Sequence, residues 1–544
     1  MNNYSQNNFY GKAPVLNLLQ RRVLDLKEGY RQNVAFLGNR FVGKTVLLHQ
    51  LMKEIDDEAM VVIYLDLEHQ DLNYFFFRFV GSLLYNFSKI EKLPLFDDIQ
   101  LLMENARPFI PQTIEEIKRI QSHLSEDKCE QMYRQLISLP EIFTAESGKF
   151  CVIILDEFQN LDELGIADVF QELGKKIMTQ KRCIYIVSSS APAFARTILS
   201  EKLSLLFGNF EILEMGAFDL KTSGQYVNDY LKEIKIKDQL RDFLVDLTAG
   251  HPLYLNLILE ELLHLSALHK QSEIFIPIVM QAIENVLFHP WGVLSRHFEI
   301  MVNQLVQTKN NRAMSSVMIA LANGRHQLKE IASQVGLKPA VLTQRIHRLL
   351  ESGIIIKNGS VFHFQDKLLR YWIKYVFQKR MQSIDPNPDK QRKNFHEELN
   401  TAVANFQLIS QKDLSSRILE LLSCFDNEAF QLNGRKYKLP LFHEITPLHV
   451  DHSSGCDFQV IKASSTEGIW FIIFKKDNLS ENDVNVFLRE LKKLDQKPHR
   501  RVIISLSDLD ENTRIRALQE RIWIWNEKEI NALLNFYDKP FILK

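Results

Sequence analysis

At roughly 150 residues per domain, a chain of 544 residues makes three or four packed units rather than one. Hydrophobic residues at 46% and charged residues at 24% exclude a disordered or collagen-like chain. With 66 Lys and Arg against 67 Asp and Glu the formal charge is -1, which excludes a polybasic tail and confines any nucleic-acid contact to a local basic surface.

The cysteines Cys129, Cys151, Cys183, Cys424 and Cys456 are scattered, with no CxxC pair, which argues against a disulfide framework or zinc ribbon and for a reducing cytosol. No cationic segment followed by an apolar run opens the chain, and the longest apolar runs are strand-sized, so neither a signal peptide nor a membrane span is expected.

In chain order, apolar periodicity predicts a helix over 14–30 that runs into a strand at Val34–Leu37. Further short apolar runs lie at Met60–Leu65, Phe150–Leu155 and Cys183–Val187, separated by long helical patterns. Such continuous runs alternating with helices predict an α/β unit with a parallel sheet covered on both faces. Over 216–380 helical periodicity dominates, apart from a β-wing at Gly353–Phe364. The charged, proline-bearing stretch Ser383–Asn394 is expected as a linker. After it come strands at Phe458–Ile461, Ile469–Phe474, Val502–Leu506 and Ile522–Trp525, with a helix at Asn482–Leu494, a second α/β unit.

Gly38-Asn39-Arg40-Phe41-Val42-Gly43-Lys44-Thr45 matches G-x-x-x-x-G-K-[ST] between a strand and a helix, the context a phosphate-binding loop requires. The glycines allow close wrapping, and backbone N–H groups at the helix N-terminus supply positive potential. Lys44 is expected to reach the β- and γ-phosphates of ATP, and Thr45 to place its hydroxyl on Mg²⁺. Two strand ends offer the carboxylate that such a metal needs, Asp66 and the pair Asp156-Glu157. Only the second has adjacent acids, so Asp156 is assigned to the metal and Glu157 to polarising the attacking water, with Asp66 a strand-end cap. Ser188, Ser189 and Ser190 end the next strand, where a hydroxyl can sense the γ-phosphate; Ser189 is taken as the representative against an ordinary polar strand end.

With these residues in place, FYGK at 9–12, the GNRFVGKT loop, LDEFQNL at 155–161, IVSSS, LFG at 206–208 and AGHP at 249–252 resemble the prokaryotic "archaeal ATPase" family, in the STAND-related branch of the AAA+ ATPases. The resemblance covers roughly residues 9–380. It implies an AAA+-type ATP-driven switch or motor, with a P-loop ATPase domain at 1–215, a helical lid at 216–300 and a winged helix at 301–382. It also implies that His251, beside Pro252, approaches the nucleotide phosphates. Members often carry Arg after LFG where this chain has Asn209; Arg196 is the nearest substitute by sequence.

Leu328–Leu350 has the features of a helix-turn-helix, with Gly336 at the turn and Leu342, Ile346 and Leu349 as the apolar face of the second helix. Thr343, Gln344, Arg345, His347 and Arg348 are expected to face outward, with Gln344, Arg345 and Arg348 contacting DNA and the wing residue Lys357 touching phosphate. The alternative, implied by the same resemblance, is a winged helix that packs within the protein and binds no DNA.

The unit at 395–544 resembles a restriction-endonuclease-like domain, which implies a metal held by an Asp on one strand and an acid-x-Lys on the next. Asp457 and Lys475 match, but Ile473 stands where the second acid belongs; Glu397 or Glu444 is the accessory candidate. The expectation is a catalytically degenerate module, with the basic residues Lys492, Lys493, Lys497, Arg500 and Arg501 a contact surface or simply a solvated helix end. The leading function is therefore an ATP- and Mg²⁺-dependent P-loop ATPase acting on duplex DNA. The alternatives are a signalling or scaffold ATPase that recruits a protein partner or self-associates, and an ATP-gated metal nuclease.

Overall fold

The computed structural model describes residues 10–68, 71–125, 128–203, 210–232, 234–306, 313–382, 387–432, 435–448, 458–475, 479–493, 497–507 and 509–542. By its contacts the chain divides into two units, Met1–Phe218 with His251–Leu253, and Asp219–Gly250 with Tyr254–Lys544.

In the first unit, helix α1 (Ala13–Asp25) leads to strand β1 (Asn33–Leu37), followed by α2 (Lys44–Glu54), β2 (Met60–Asp66) and the long α3 (Leu72–Ile90). Four shorter helices follow, α4 (Ile99–Ala106), α5 (Pro111–Ser125), α6 (Cys129–Leu136) and α7 (Leu139–Ser147). Then come β3 (Phe150–Asp156), α8 (Val169–Thr179), β4 (Cys183–Ser189), α9 (Pro192–Thr197) and β5 (Phe210–Glu214). The strands form one parallel sheet in the order β2-β3-β4-β1-β5.

Alternate residues feed two cores, as the two-residue period of a strand dictates. Val34, Phe36, Ile154 and Ile186 pack with Leu19, Val23 and Leu47 on one face, while Ala35, Leu37, Ile153 and Val187 pack with Phe76, Phe79 and Leu83 on the other. Burial on both faces explains why these strands read as unbroken apolar runs. The outer strand β5 is half-exposed, and Glu211 and Glu214 interrupt its apolar residues, so no such run announced it.

The second unit begins with α10 (Leu220–Tyr230) and α11 (Asp238–Thr248), then α12 (Pro252–Leu268), α13 (Ile276–Ile283) and α14 (Val293–Val306). The winged helix comprises α15 (Met314–Ala322), α16 (Leu328–Val335), α17 (Pro339–Glu351) and the antiparallel pair β6 (Ile355–Asn358) and β7 (Val361–Phe364), followed by α18 (Lys367–Trp372). Residues 388–394, expected as linker, are the opening turns of a long helix, α19 (Pro388–Ser410). Asn387 caps it by accepting the N–H of Asp389 at 3.0 Å, and Pro388 sits at the first position, where its missing N–H costs nothing. The proline was therefore a helix start; residues 383–386 lie outside the described residues.

After α20 (Leu414–Leu422), a hairpin of β8 (Glu428–Leu432) and β9 (Arg435–Leu439) precedes a five-stranded mixed sheet. Its strands are β10 (Phe442–Leu448), β11 (Gln459–Ser465), β12 (Gly468–Phe474), β13 (Arg500–Ser505) and β14 (Trp523–Asn526), adjacent in that order. The first three are antiparallel to their neighbours and the last two join in parallel. The helices α21 (Glu481–Lys493) and α22 (Glu511–Gln519) cover one face, and α20 with the hairpin covers the other. A last helix, α23 (Glu527–Phe536), closes the unit. Val361 of the wing belongs to the same core as Phe430 and Tyr437 of the hairpin, so winged helix and C-terminal sheet share apolar packing.

Candidate functional site

The loop between β1 and α2 is fixed at both glycines. A Cβ on Gly38 would lie 2.2 Å from the carbonyl oxygen of Met215, and one on Gly43, at φ +94°, would lie 1.9 Å from the Lys12 ammonium. The Met215 contact is with backbone and restricts position 38 to glycine, whereas at position 43 the positive φ does so, the lysine end being movable. Phe41 also has positive φ, at 60°, and its ring is 47% exposed. Val42 is buried and anchors the loop to the core beneath. Lys44, 4% exposed, folds back so that Nζ donates to the carbonyls of Gly38 (2.8 Å) and Asn39 (2.9 Å). Burial holds its pKa below the ordinary lysine value, against the opposing pull of Glu157 and Asp156, while Arg40 lowers it further. His251, part of this unit by its contacts, has Nε2 3.1 Å from the Arg40 carbonyl oxygen.

Thr45 and Asp156 meet as expected of two ligands of one cation. The Thr45 hydroxyl donates to Asp156 Oδ2 at 2.7 Å, the Tyr64 hydroxyl to the same oxygen at 3.1 Å, and the Ser188 hydroxyl to Oδ1. Asp156 is 2% exposed, and among the described residues no lysine or arginine stands within ion-pair distance of it. A buried carboxylate that has only neutral hydroxyl partners, beside a loop shaped for phosphates, is a donor set that suits Mg²⁺. Among the described residues there is no group of three or more His, Cys, Asp or Glu side chains able to hold a metal, so any cation here would take its remaining ligands from phosphate and water.

Glu157 directly follows on a strained backbone, φ 56° and ψ 44°. Its Oε2 accepts three hydrogen bonds, from Ser190 N (2.9 Å), Ser190 Oγ (2.7 Å) and Gln159 Nε2 (2.7 Å). The carboxylate is thus clamped through one oxygen, and Oε1 has no hydrogen-bond partner among the described residues. Asp66, in register with Asp156, instead accepts the N–H of Glu68 at 3.0 Å, the bond of a strand-end turn.

Of the three serines, Ser188 and Ser190 reach the acids. Ser189 is fully buried, its hydroxyl accepts the N–H of Ala191 at 3.0 Å, and its carbonyl accepts the N–H of Gly38 at 3.1 Å, bonds that hold the turn. The Arg196 guanidinium pairs with Glu214 at the end of β5. The LFG segment and Asn209 lie outside the described residues. Two site residues were given no role from the sequence, although Lys12 closes the FYGK motif. Lys12, 6% exposed, has its pKa pushed down to about 8 by burial against the loop, and Tyr64 reaches Asp156 only because β2 and β3 pair in register.

In the winged helix, Gln344, Thr343, His347 and Arg348 are exposed on α17, but Arg345 is only 7% exposed. The correction follows from helical spacing: 342, 345, 346 and 349 fall on one stripe, and Leu342, Ile346 and Leu349 make that stripe the buried one. The wing tip is also covered. Ser360 N donates to the Ala429 carbonyl at 3.2 Å, Asn358 Nδ2 to the Gln431 carbonyl at 2.8 Å, and Gln431 N returns a bond to Asn358 Oδ1. Gly359, φ +62°, leaves no room for a Cβ, which would stand 1.9 Å from the Ala429 oxygen. Lys357 lies 5.9 Å from the Phe362 ring centroid.

At the C-terminal sheet, Asp457 lies outside the described residues. Lys475 pairs with the buried Asp483 of α21 at 3.5 Å, and Ile473 is fully buried beneath the same helix. Glu444 and Glu397 are exposed, on the edge strand β10 and on α19 respectively. Of the basic cluster, Lys493 pairs with Glu490 (2.7 Å), Arg501 with Glu520 (3.5 Å), and Arg500 stacks on Trp523 (4.8 Å).

The first unit is an α/β fold with a central parallel sheet, and the second carries a winged helix and a C-terminal α/β domain. A winged helix-turn-helix DNA-binding family model matches residues 319–356. Among solved structures, a Walker-type ATPase of Pyrococcus abyssi is 15% identical with a TM-score of 0.44, covering 65% of this chain and 94% of its own. The Aeropyrum pernix ORC2 protein is 12% identical, TM-score 0.42, covering 69% and 95%, and the ORC1 protein of the same organism, solved with DNA, is 12% identical, TM-score 0.38, covering 69% and 94%. No curated protein matched. Among the described residues no helix is long and apolar enough to cross a membrane.

Proposed function

We propose that this chain binds ATP with Mg²⁺ at the loop Gly38–Thr45 and hydrolyses it, switching a helical lid and winged helix that act on duplex DNA. The observation that carries the reading is the convergence of Thr45 and Asp156 in one hydrogen bond beside the buried Lys44, with Glu157 clamped next to them. Lys44 would exchange the Gly38 and Asn39 carbonyls for phosphate oxygens, a stronger charge-assisted pairing. Thr45 and Asp156 would hold Mg²⁺, which neutralises charge on the phosphates when bound. Glu157 Oε1 would accept a proton from the attacking water as its oxygen bonds the γ-phosphorus and the bond to the ADP oxygen breaks. The Ser190 and Gln159 bonds to Oε2 fix the carboxylate for this task.

The DNA partner rests on the exposed face of α17, with Gln344 for base edges and Arg348 for phosphate. The covered wing tip favours a second reading, an ATP-switched scaffold that recruits a protein partner, because a wing engaged by its own chain does not enter a groove. Turnover of ATP by the full chain, with and without duplex DNA, tests both. Turnover stimulated by duplex supports the DNA reading, turnover indifferent to it supports the scaffold, and absence of ATP binding refutes the nucleotide site itself. The buried Ile473 and the engagement of Lys475 by Asp483 support a C-terminal domain without nuclease chemistry.

A further inference from the structure

A groove of about 780 Å³ on the first unit lies among α2, β2, α3 and the start of α4, and none of the P-loop residues lines it. One wall is the outward stripe of α3, on which Phe77, Arg78, Gly81, Tyr85 and Lys89 recur at the helical period. Phe77 and Tyr85 are 44% and 41% exposed, an unusual amount of ring to leave wet on a helix whose opposite face is packed in the core. Lys53, at the end of α2, adds a third cation to Arg78 and Lys89. None of these cations has a carboxylate within ion-pair distance among the described residues. Asp97 and Asp98 stand at the far rim, and Asp98 is occupied in capping α4 through the N–H groups of Gln100 and Leu101.

Gly81 is the second observation. A glycine inside a helix is among the least favourable residues there. Here no close contact demands it, since a Cβ on Gly81 would meet nothing within 4 Å. Its effect is to leave the α3 stripe without a side chain between Phe77 and Tyr85.

We propose that this groove is a second binding site for a nucleotide unit, an aromatic base bearing a phosphate, separate from the P-loop. Tyr85 and Phe77 offer the base a stacking face, Gly81 admits it, and Lys53, Arg78 and Lys89 take the phosphate. Free nucleotides and single-stranded nucleic acid share this chemistry. The site has a direct connection to the P-loop centre. The Tyr64 ring lines the groove while its hydroxyl donates to Asp156 Oδ2, the oxygen that also accepts from Thr45. Occupancy of the groove would therefore be read at Asp156; this last link rests on the function proposed above, whereas the binding does not.

The test uses the full chain carrying Lys44→Ala, so that the P-loop does not take up the probe, and follows the anisotropy of a fluorescein-labelled oligothymidylate or the heat of AMP binding. Binding of the oligothymidylate alone assigns the site to single strands, and binding of AMP assigns it to free nucleotide. Tyr85→Ala is expected to weaken the bound probe roughly tenfold. Each of Lys53→Gln, Arg78→Gln and Lys89→Gln should reduce the salt slope of oligothymidylate binding by about 0.7. Gly81→Leu should raise the melting temperature, because leucine favours the helix, and abolish binding; this combination is not produced by a merely structural glycine. Gln344→Ala with Arg348→Ala, on the winged helix, should leave this binding intact. The proposal is overturned if neither probe binds, or if Gly81→Leu and the charge variants bind as the Lys44→Ala chain itself does. Lys44→Ala separates the two readings, since it should lose ATP and keep the groove ligand. Tyr64→Phe, with Lys44 in place, should keep the groove ligand but remove its effect on ATP turnover; an undiminished effect overturns the connection to Asp156.

Discussion

The ammonium of Lys12 occupies the space in which a side chain on Gly43 would begin, 1.9 Å from where that Cβ would lie. A second lysine is thus pressed against the phosphate loop from the start of α1, with its pKa lowered from 10.5 to about 8 by burial. Below pH 8 it is charged; above that it is neutral in the ligand-free protein. ATP affinity measured by calorimetry should fall above pH 8, and Lys12→Met should flatten that fall. The ligand-free stability should move the other way. The unfolded chain keeps the proton up to pH 10.5 while the folded one releases it near 8, so stability should rise across that window by about 1.4 kcal/mol per pH unit. Thermal melts of wild type and Lys12→Met should differ in that slope.

Lys44→Ala should leave the melting transition cooperative and cost roughly 100-fold in ATP affinity, because the phosphates lose a charge-assisted donor. Equal affinity in a folded variant would remove the P-loop assignment.

Glu157→Gln should bind ATP normally and slow turnover by on the order of a hundredfold or more, since a carboxamide holds water but takes no proton. Ser190→Ala, which strips one of the three donors from Oε2, should give an intermediate rate with unchanged ATP affinity. Were Asp66→Asn to trap ATP instead, the assignment of Asp156 and Glu157 would fall.

On α17, Arg348→Ala should reduce the salt slope of duplex binding by about 0.9 without changing stability. Arg345→Ala should do the reverse. It removes a buried side chain from the Leu342–Leu349 stripe, so its effect is expected in the melting temperature, on the order of 1–3 kcal/mol, with the salt slope unchanged.

The full chain, given Mg²⁺ or Mn²⁺ with single-stranded, duplex or branched DNA, should not cut it. Ile473 offers no ligand and Lys475 is engaged by Asp483. Cleavage that Glu444→Ala abolishes would show that an exposed carboxylate on β10 has taken the missing place.

The loop Gly38–Thr45 was legible because its residues are contiguous and their pattern is complete without tertiary information. Asp156 was legible because a buried parallel strand reads as an apolar run and its end is therefore easy to place. The roles of Lys12 and Tyr64 were not, since each enters through strand register or the approach of α1, which no local spacing encodes, and Ser188 was named without its bond to Asp156. Arg345 was misplaced through its charge, although its spacing from Leu342 and Leu349 already put it on the inner stripe. The half-exposed β5 and the β8–β9 hairpin lacked the apolar run by which the other strands declared themselves. Pro388 was taken as a breaker where it is a first-turn residue.

The clasp between the wing and the β8–β9 hairpin bears on how this protein can be dissected. A fragment ending before α19 would bare Val361 and strip the wing of its hydrogen-bonding neighbour, presenting an unpaired, partly apolar strand to solvent. A fragment starting at Phe395 would lose the opening turns of α19 and Val361 from its core. Soluble, well-behaved pieces are therefore expected only from cuts that keep residues 313–542 together, and aggregation of shorter ones would report on the clasp rather than on any intrinsic instability of the winged helix.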